Sequence, residues 1–277
     1  MQNSNKFEKA NASRGILVFA FNTPEVDYVS IADKASALAN NRLKLPITLV
    51  TDDSGQPTYN FDRVIRISNS DSSNIRTNLN GDNIVWKNFG RYLAYKLSPY
   101  DETLLLDTDY LVMNDNLNKL FETDFAYKLM HHNQTVTGPS YEQMGETSLP
   151  YVWATVVAFR KTEKAKQLFD LVGLVQRNYN YYRALYNVRE GNYRNDYAFA
   201  MANNIINGYS PDDTASIPWT MFTVDTIVNE IERVGSLFKV KGEKSTIVAP
   251  NIDMHVMDKD YLQSANFAAL VKDLCAA

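Results

Sequence analysis

Asp107-Thr108-Asp109 sets two carboxylates one residue apart, directly after the run Leu104-Leu105-Leu106. Three consecutive leucines read as a strand buried on both faces, and such a strand in an open α/β sheet ends at the crevice where ligands bind. Two carboxylates there suit a hard divalent ion, Mg²⁺ or Mn²⁺, which shares its other positions with substrate phosphates. The same spacing also arises when one aspartate caps the next helix and the other faces water, so the surroundings must decide. Far along the chain, His255 in Pro250-Asn251-Ile252-Asp253-Met254-His255 follows a strand-like run. Neutral imidazole is a good ligand for Mn²⁺, although a single histidine is equally an ordinary structural residue. Lys87 and Arg91 share a helical face, a pairing that helical surfaces also carry without a ligand. Asn195-Asp196 opens a helix, where the dipole alone favours an aspartate and where a carboxylate can also take a proton from a hydroxyl.

Residues 177–194 alternate Arg177, Arg183, Arg189 and Arg194 with Tyr179, Tyr181, Tyr182, Tyr186 and Tyr193. Cations interleaved with aromatics contact phosphates and stack on bases. Tyrosines also pack against sugar faces, and a solvated helix gives the same string. His131 and His132 read as structural.

The surroundings of the acidic pair are Lys96-Leu97-Ser98-Pro99-Tyr100-Asp101-Glu102-Thr103-Leu104-Leu105-Leu106-Asp107-Thr108-Asp109. A helix ends at the proline, a short turn follows, and the acid-tipped strand begins. This run resembles the GT-A nucleotide-sugar glycosyltransferases, in particular the glycogenin-like group, whose "SPYD…LYLDAD" segment carries a metal-binding D-x-D. The likeness is specific over 96–112, extends loosely from Gly15 to about Lys259, and fades over 130–150 and 176–194. It implies an α/β fold: a single GT-A, Rossmann-like domain with a mostly parallel central sheet flanked by helices. It also implies transfer of a sugar from a nucleotide diphosphate sugar to an acceptor hydroxyl, with Mn²⁺ or Mg²⁺ held by Asp107, Asp109 and His255. Thr108 lies between the acids. Lys259 matches the lysine that follows the family's histidine, but the glycine and Pro-Trp of that motif are missing. By the same resemblance Ala20, Phe21 and Asn22 line the base, Thr23 or Asp52 reaches base or ribose, and Lys87 and Arg91 bring positive charge to the donor. Asn195 and Asp196 face donor sugar and acceptor. Small stand-alone transferases of this appearance occur in tailed phages, where some glycosylate hydroxymethylated pyrimidines in DNA. The Arg/Tyr stretch fits that acceptor, and a glycan or lipopolysaccharide sugar is the competing one.

These residues need elements to hold them. Gly15 to Asn22 is a short apolar run that reads as a buried parallel strand, followed by Thr23-Pro24 as the start of a helix with Val29, Ala32, Ala35 and Leu38 or Ala39 at helical spacing. Pro46 to Val50 and Val64 to Ile67 read as strands, and residues 68–83, rich in Asn, Ser and Asp, as a loop that orders on binding ligand. Trp86 to Leu97 is expected to be helical. After the acids come a short helix at 117–121, strands at 126–130 and 152–159, a helix capped by Thr162, a helix at 196–207, strands at 221–224 and 246–249, and a helix from Tyr261 to Leu274. Alternation of strand and helix in the first half predicts a mostly parallel sheet.

Composition bounds the rest. The 277 residues, 45% of them apolar, suffice for one core, expected over 15–277 after a poorly ordered 1–14. A net charge of −4 gives no global attraction to DNA or anionic membrane, and the lone Cys275 excludes an internal disulfide. With no apolar run of membrane length and no signal-like start, the cytoplasm is expected, that of the host if the chain is phage-encoded. A haloacid-dehalogenase-type phosphatase would carry its D-x-D on the first strand. A sugar nucleotidyltransferase would carry a glycine-rich N-terminal signature, whereas residues 15–25 hold a single glycine. A nucleotide-sugar or glycan binding module without turnover is the non-enzymatic alternative.

Overall fold

The computed structural model describes residues 13–276, apart from 69–73, 138–141, 145, 148, 190, 211–214 and 243–244. Most of the expected poorly ordered N-terminus, residues 1–12, therefore lies outside the described residues. The chain forms an α/β structure around a mostly parallel central sheet. Its strands are β1 (Arg14–Phe19), β2 (Ile47–Thr51), β3 (Arg63–Arg66), β6 (Glu102–Leu106), β8 (Tyr127–Met130) and β10 (Trp153–Arg160), in the order β3-β2-β1-β6-β10-β8. The pairs β1–β2, β2–β3 and β1–β6 are parallel, and only β10 runs against its neighbours.

The three leucines explain why β6 is central. Leu104 and Leu106 enter the core on one face with Ile16, Val18 and the inner side of helix α1 (Tyr28–Leu43). Leu105 enters the core on the other face with Leu17 and helices α4 (Glu163–Arg177) and α6 (Asn195–Ile206). Each buried leucine contributes roughly 1.5–3 kcal/mol, so three in a row are stable in a strand only with helices on both sides.

A second sheet carries the far half of the site. Strands β7 (Tyr110–Leu111), β9 (Asn133–Thr135), β11 (Met221–Val224) and β15 (Met254–Val256) lie in the order β7-β15-β11-β9. His255 pairs with Tyr110 in antiparallel register, and the Val256 amide donates to the Asp109 carbonyl at 2.9 Å. Asp253 fixes the approach, since its carboxylate accepts from the Tyr110 hydroxyl at 2.6 Å and from the Met113 amide at 2.8 Å. A third, antiparallel sheet of β12 (Val228–Val234), β13 (Leu237–Gly242) and β14 (Thr246–Pro250) packs beside α8 (Ala265–Ala276).

Several expected elements differ in detail. The first helix starts at Tyr28, capped by the Asp27 carboxylate accepting from the Ser30 amide, because Thr23 spends its hydroxyl on a turn by accepting from the Val26 amide. Trp86 to Leu97 is not one helix: a 3₁₀ stretch, Asn88–Leu93, gives way to a single α-turn, α2 (Ala94–Leu97). Within the expected loop 68–83, β4 (Ile75–Thr77) and β5 (Asn83–Val85) form a hairpin. Its turn is closed by the Asn78 amide on the Asp82 carbonyl, with Gly81 at φ 89°, a conformation that favours glycine. The C-terminal helix is split into α7 (Lys259–Gln263) and α8 at Ser264, whose extended backbone and hydroxyl start the second segment.

Candidate active site

A cleft of about 440 Å³ opens at the carboxyl ends of β1 and β6, where an open α/β sheet places its ligands. The turn after β6 delivers Asp107, Thr108 and Asp109 to its floor, β15 delivers His255, and the first turn of α7 delivers Lys259. Phe21, Lys87, Arg91, Asn195 and Asp196 also line it. Ten of the fourteen residues that the resemblance places at the site thus share one cleft although they come from six separate segments. The remaining four do not line it. The Ala20 amide donates to the Val50 carbonyl, Asn22 bridges the Asp53 carboxylate and the Val29 amide, Thr23 closes its turn, and Asp52 meets Lys87 at 3.2 Å.

Each acid of the pair is held by a cation of the chain. Arg91 Nη1 donates to Asp107 Oδ1 at 2.6 Å, and Lys259 Nζ donates to Asp109 Oδ2 at 2.6 Å. His255 Nε2 lies 3.3 Å from that same Asp109 oxygen, and its ring meets the Trp153 ring edge-on. Burial works to raise both carboxyl pKa values. At Asp109 the Lys259 charge and then His255 outweigh it and hold the group well below the usual carboxylate range. At Asp107 burial wins over the Arg91 charge, with Asp109 adding like-charge repulsion, and the pKa is pushed up to about 6. A quarter of the Asp107 side chain is still exposed, and it opens on the cleft, so the group is deep without being covered.

Two carboxylates and an imidazole have the donor chemistry of a site for Mn²⁺ or Mg²⁺, and Asp109 and His255 already touch. The three are not drawn into one ligand set, however: among the described residues no group of three His, Cys, Asp or Glu side chains is gathered for a metal. The reason is local, since Arg91 takes one carboxylate and Lys259 the other. His255 Nδ1 is buried without a hydrogen-bond partner.

At the other end of the cleft, Asp196 Oδ1 accepts from the Ala154 amide at 3.0 Å, which fixes the carboxylate at the start of α6. Asn195 Oδ1 accepts from the Tyr193 hydroxyl, and Tyr193 is buried against Phe89 with ring centroids 5.4 Å apart. Tyr151, Trp153 and Arg194 line this end. So does Arg76, which no sequence pattern flagged, although Asn80-Gly81 between two short β-prone runs is a hairpin signal that would have placed it. Of the Arg/Tyr stretch, Tyr179 and Tyr193 are core residues, Tyr182 and Tyr186 pack partly against the core, and Tyr181 is 65% exposed.

The chain therefore has an α/β fold with a mostly parallel central sheet flanked by helices, and acids at the end of a central strand. Among solved structures it is similar to the galactosyltransferase LgtC in complex with donor and acceptor sugar analogs, at 14% identity over 95% of each chain and a TM-score of 0.51. An active-site mutant of LgtC is 13% identical over 95% of each chain, with a TM-score of 0.49. The glycosyltransferase GlyE of Streptococcus pneumoniae TIGR4 is 16% identical over 75% of this chain, which spans 46% of that structure, with a TM-score of 0.45. At such identities the likeness to LgtC is one of fold. No protein-family model matches the chain, and no curated protein does.

Proposed function

We propose that this protein is a glycosyltransferase that moves a sugar from a nucleotide diphosphate sugar to an acceptor hydroxyl with the help of Mn²⁺ or Mg²⁺. The observation that carries this reading is the convergence, in one cleft at the sheet's carboxyl edge, of Asp107, Asp109 and His255 with the cations Lys87, Arg91 and Lys259 and the carboxylate of Asp196. Asp107, Asp109 and His255 would hold the ion, which when bound would supply positive charge for the departing diphosphate. Lys259, which here pairs with Asp109, would add positive charge for the diphosphate. Phe21 packs beside the base, with Ala20, Asn22, Thr23 and Asp52 shaping the wall behind base and ribose. Lys87 and Arg91 add positive charge on the donor side. Asp196, anchored through one oxygen, offers the other to a donor-sugar hydroxyl or to the incoming acceptor, and Asn195 stands beside it.

For the acceptor, a hydroxymethylated pyrimidine in DNA has its support in the exposed side of the stretch 177–194, where Arg177, Arg189 and Tyr181 face water and Arg183 is half-buried. A saccharide acceptor has its support in Tyr151 and Trp153, aromatic walls of the cleft beside Asp196. Mass spectrometry of reactions with a panel of nucleotide sugars, offering hydroxymethylated DNA and glycans side by side, tests both. Transfer that stops with chelator and returns with Mn²⁺ is the expected result. Absence of transfer and of donor hydrolysis across the panel, with metal present, removes the enzyme reading and leaves a binding module.

A further inference from the structure

The hairpin of β4 and β5 is pinned to the segment just before Asn195. The Asn192 side chain donates to the Ile75 carbonyl at 2.8 Å, and the Asn74 side chain and Arg76 Nη2 both donate to the Tyr193 carbonyl, at 3.2 and 3.3 Å. This tie carries the Arg76 guanidinium into the cleft, where it lies over the Trp86 ring at 3.4 Å. Arg194 lines the same cleft. No carboxylate of the described residues lies within ion-pair distance of Arg76, and its buried Nε has no hydrogen-bond partner. A half-buried guanidinium without a counter-charge in contact is costly, and here the chain places it near a second cation. The two charges are felt: burial first, then Arg194, lowers the Arg76 pKa, and Asp196 opposes this from beyond contact distance. Arg91, by contrast, is paired with Asp107 through Nη1, although its Nε and Nη2 are also buried without partners.

Such an arrangement is stable when an anion arrives. Lys87 and Lys259 serve the end of the cleft near Asp52 and Asp109, whereas Arg76 and Arg194 stand at the Asp196 end. A flat fork clamped on an indole is suited to paired hydrogen bonds with a carboxylate or phosphate. We propose that Arg76 and Arg194 form a subsite for an anionic substituent, a carboxylate or phosphate, on the sugar handled beside Asp196. The anion sits on the transferred sugar or on the acceptor sugar, and the inference rests on the glycosyltransferase reading above.

Calorimetry with the full chain and Mn²⁺ tests it in two arms. One compares nucleoside diphosphates, their neutral hexose conjugates and their hexuronate conjugates. The other compares glucose with glucuronate and glucose 6-phosphate in the presence of the bound diphosphate. In one arm the anionic sugar is expected to bind about tenfold more tightly than its neutral counterpart, the scale of a lost charge-assisted hydrogen bond. Arg76→Gln should erase that preference and leave affinity for the bare diphosphate unchanged, with Arg194→Gln as the second variant should the first fold poorly. Diphosphate binding without any preference for anionic sugars in either arm overturns the subsite and leaves the glycosyltransferase reading standing. A preference that survives both substitutions also overturns it, as does an Arg76→Gln variant that loses the bare diphosphate equally, which makes Arg76 a diphosphate ligand. Wild-type protein that binds no nucleoside diphosphate fails the underlying reading, and the subsite with it.

Discussion

The two aspartates of the pair are chemically alike and energetically different, because their partners differ. Arg91 is almost wholly buried and meets Asp107, whereas Lys259 is 20% exposed and can return its ammonium to water when released from Asp109. Removing Asp107 therefore strands a buried charge, a loss of about 3 kcal/mol, while removing Asp109 gives up a favourable pair but leaves an ammonium that can reach water. In urea unfolding, Asp107→Asn is expected to lower the midpoint clearly and Asp109→Asn much less, with transfer abolished in both. Equal midpoints would show that Arg91 finds another partner and that the Asp107 pair is not what holds it. The sequence disclosed the acids and their strand, but not these pairings, since Arg91 reaches Asp107 through a 3₁₀ stretch where helical spacing was expected.

At the scale of elements, β1, β2 and β6 were legible from their short, nearly continuous apolar runs, Ile16–Phe19, Ile47–Val50 and Leu104–Leu106, a signal tied to burial on both faces. Strands β9 and β15 were not: three residues each, Asn133-Gln134-Thr135 and Met254-His255-Val256, carry no period that could mark them. Only pairing makes them strands, β9 with β11 and β15 with β11 and β7, and that pairing is long-range. The tightness of the first strand gives a test. A Cβ at Gly15 would lie 2.3 Å from the Tyr100 ring, and that ring is held by the bond between its hydroxyl and Thr48 Oγ1 at 2.9 Å. Gly15→Ala should cost about 1–3 kcal/mol through overpacking, read as a fall in melting temperature. Restored stability in Gly15→Ala combined with Tyr100→Leu would trace the cost to that contact.

For the molecule as a whole, charge is the quantity that bears on the acceptor. A chain of net charge −4 meets DNA only through a local patch, and the exposed arginines 177 and 189 with half-buried Arg183 are the patch on offer. Arg189 is already paired with Glu146 at 2.7 Å, which reduces its share. If DNA is the acceptor, neutralising Arg177 and Arg183 should weaken binding across sequences and lower the salt slope by about one per lost phosphate contact. A salt-independent or undetectable affinity for hydroxymethylated DNA gives the acceptor place to a saccharide. No helix among the described residues is long and apolar enough to cross a membrane.

The contact between Lys259 and Asp109 joins residues 150 positions apart, and His255 reaches the same acid only by pairing its strand with Tyr110. Loop-closure entropy makes so distant a pairing a late event, behind the local assembly of β1, β2 and β6. During synthesis the acidic pair leaves the ribosome long before the strand that completes its surroundings. The cleft is thus a reporter of finished folding: on dilution from urea, secondary structure should recover first and affinity for nucleoside diphosphate with Mn²⁺ afterwards. Simultaneous recovery of the two signals would place β15 in the folding nucleus instead.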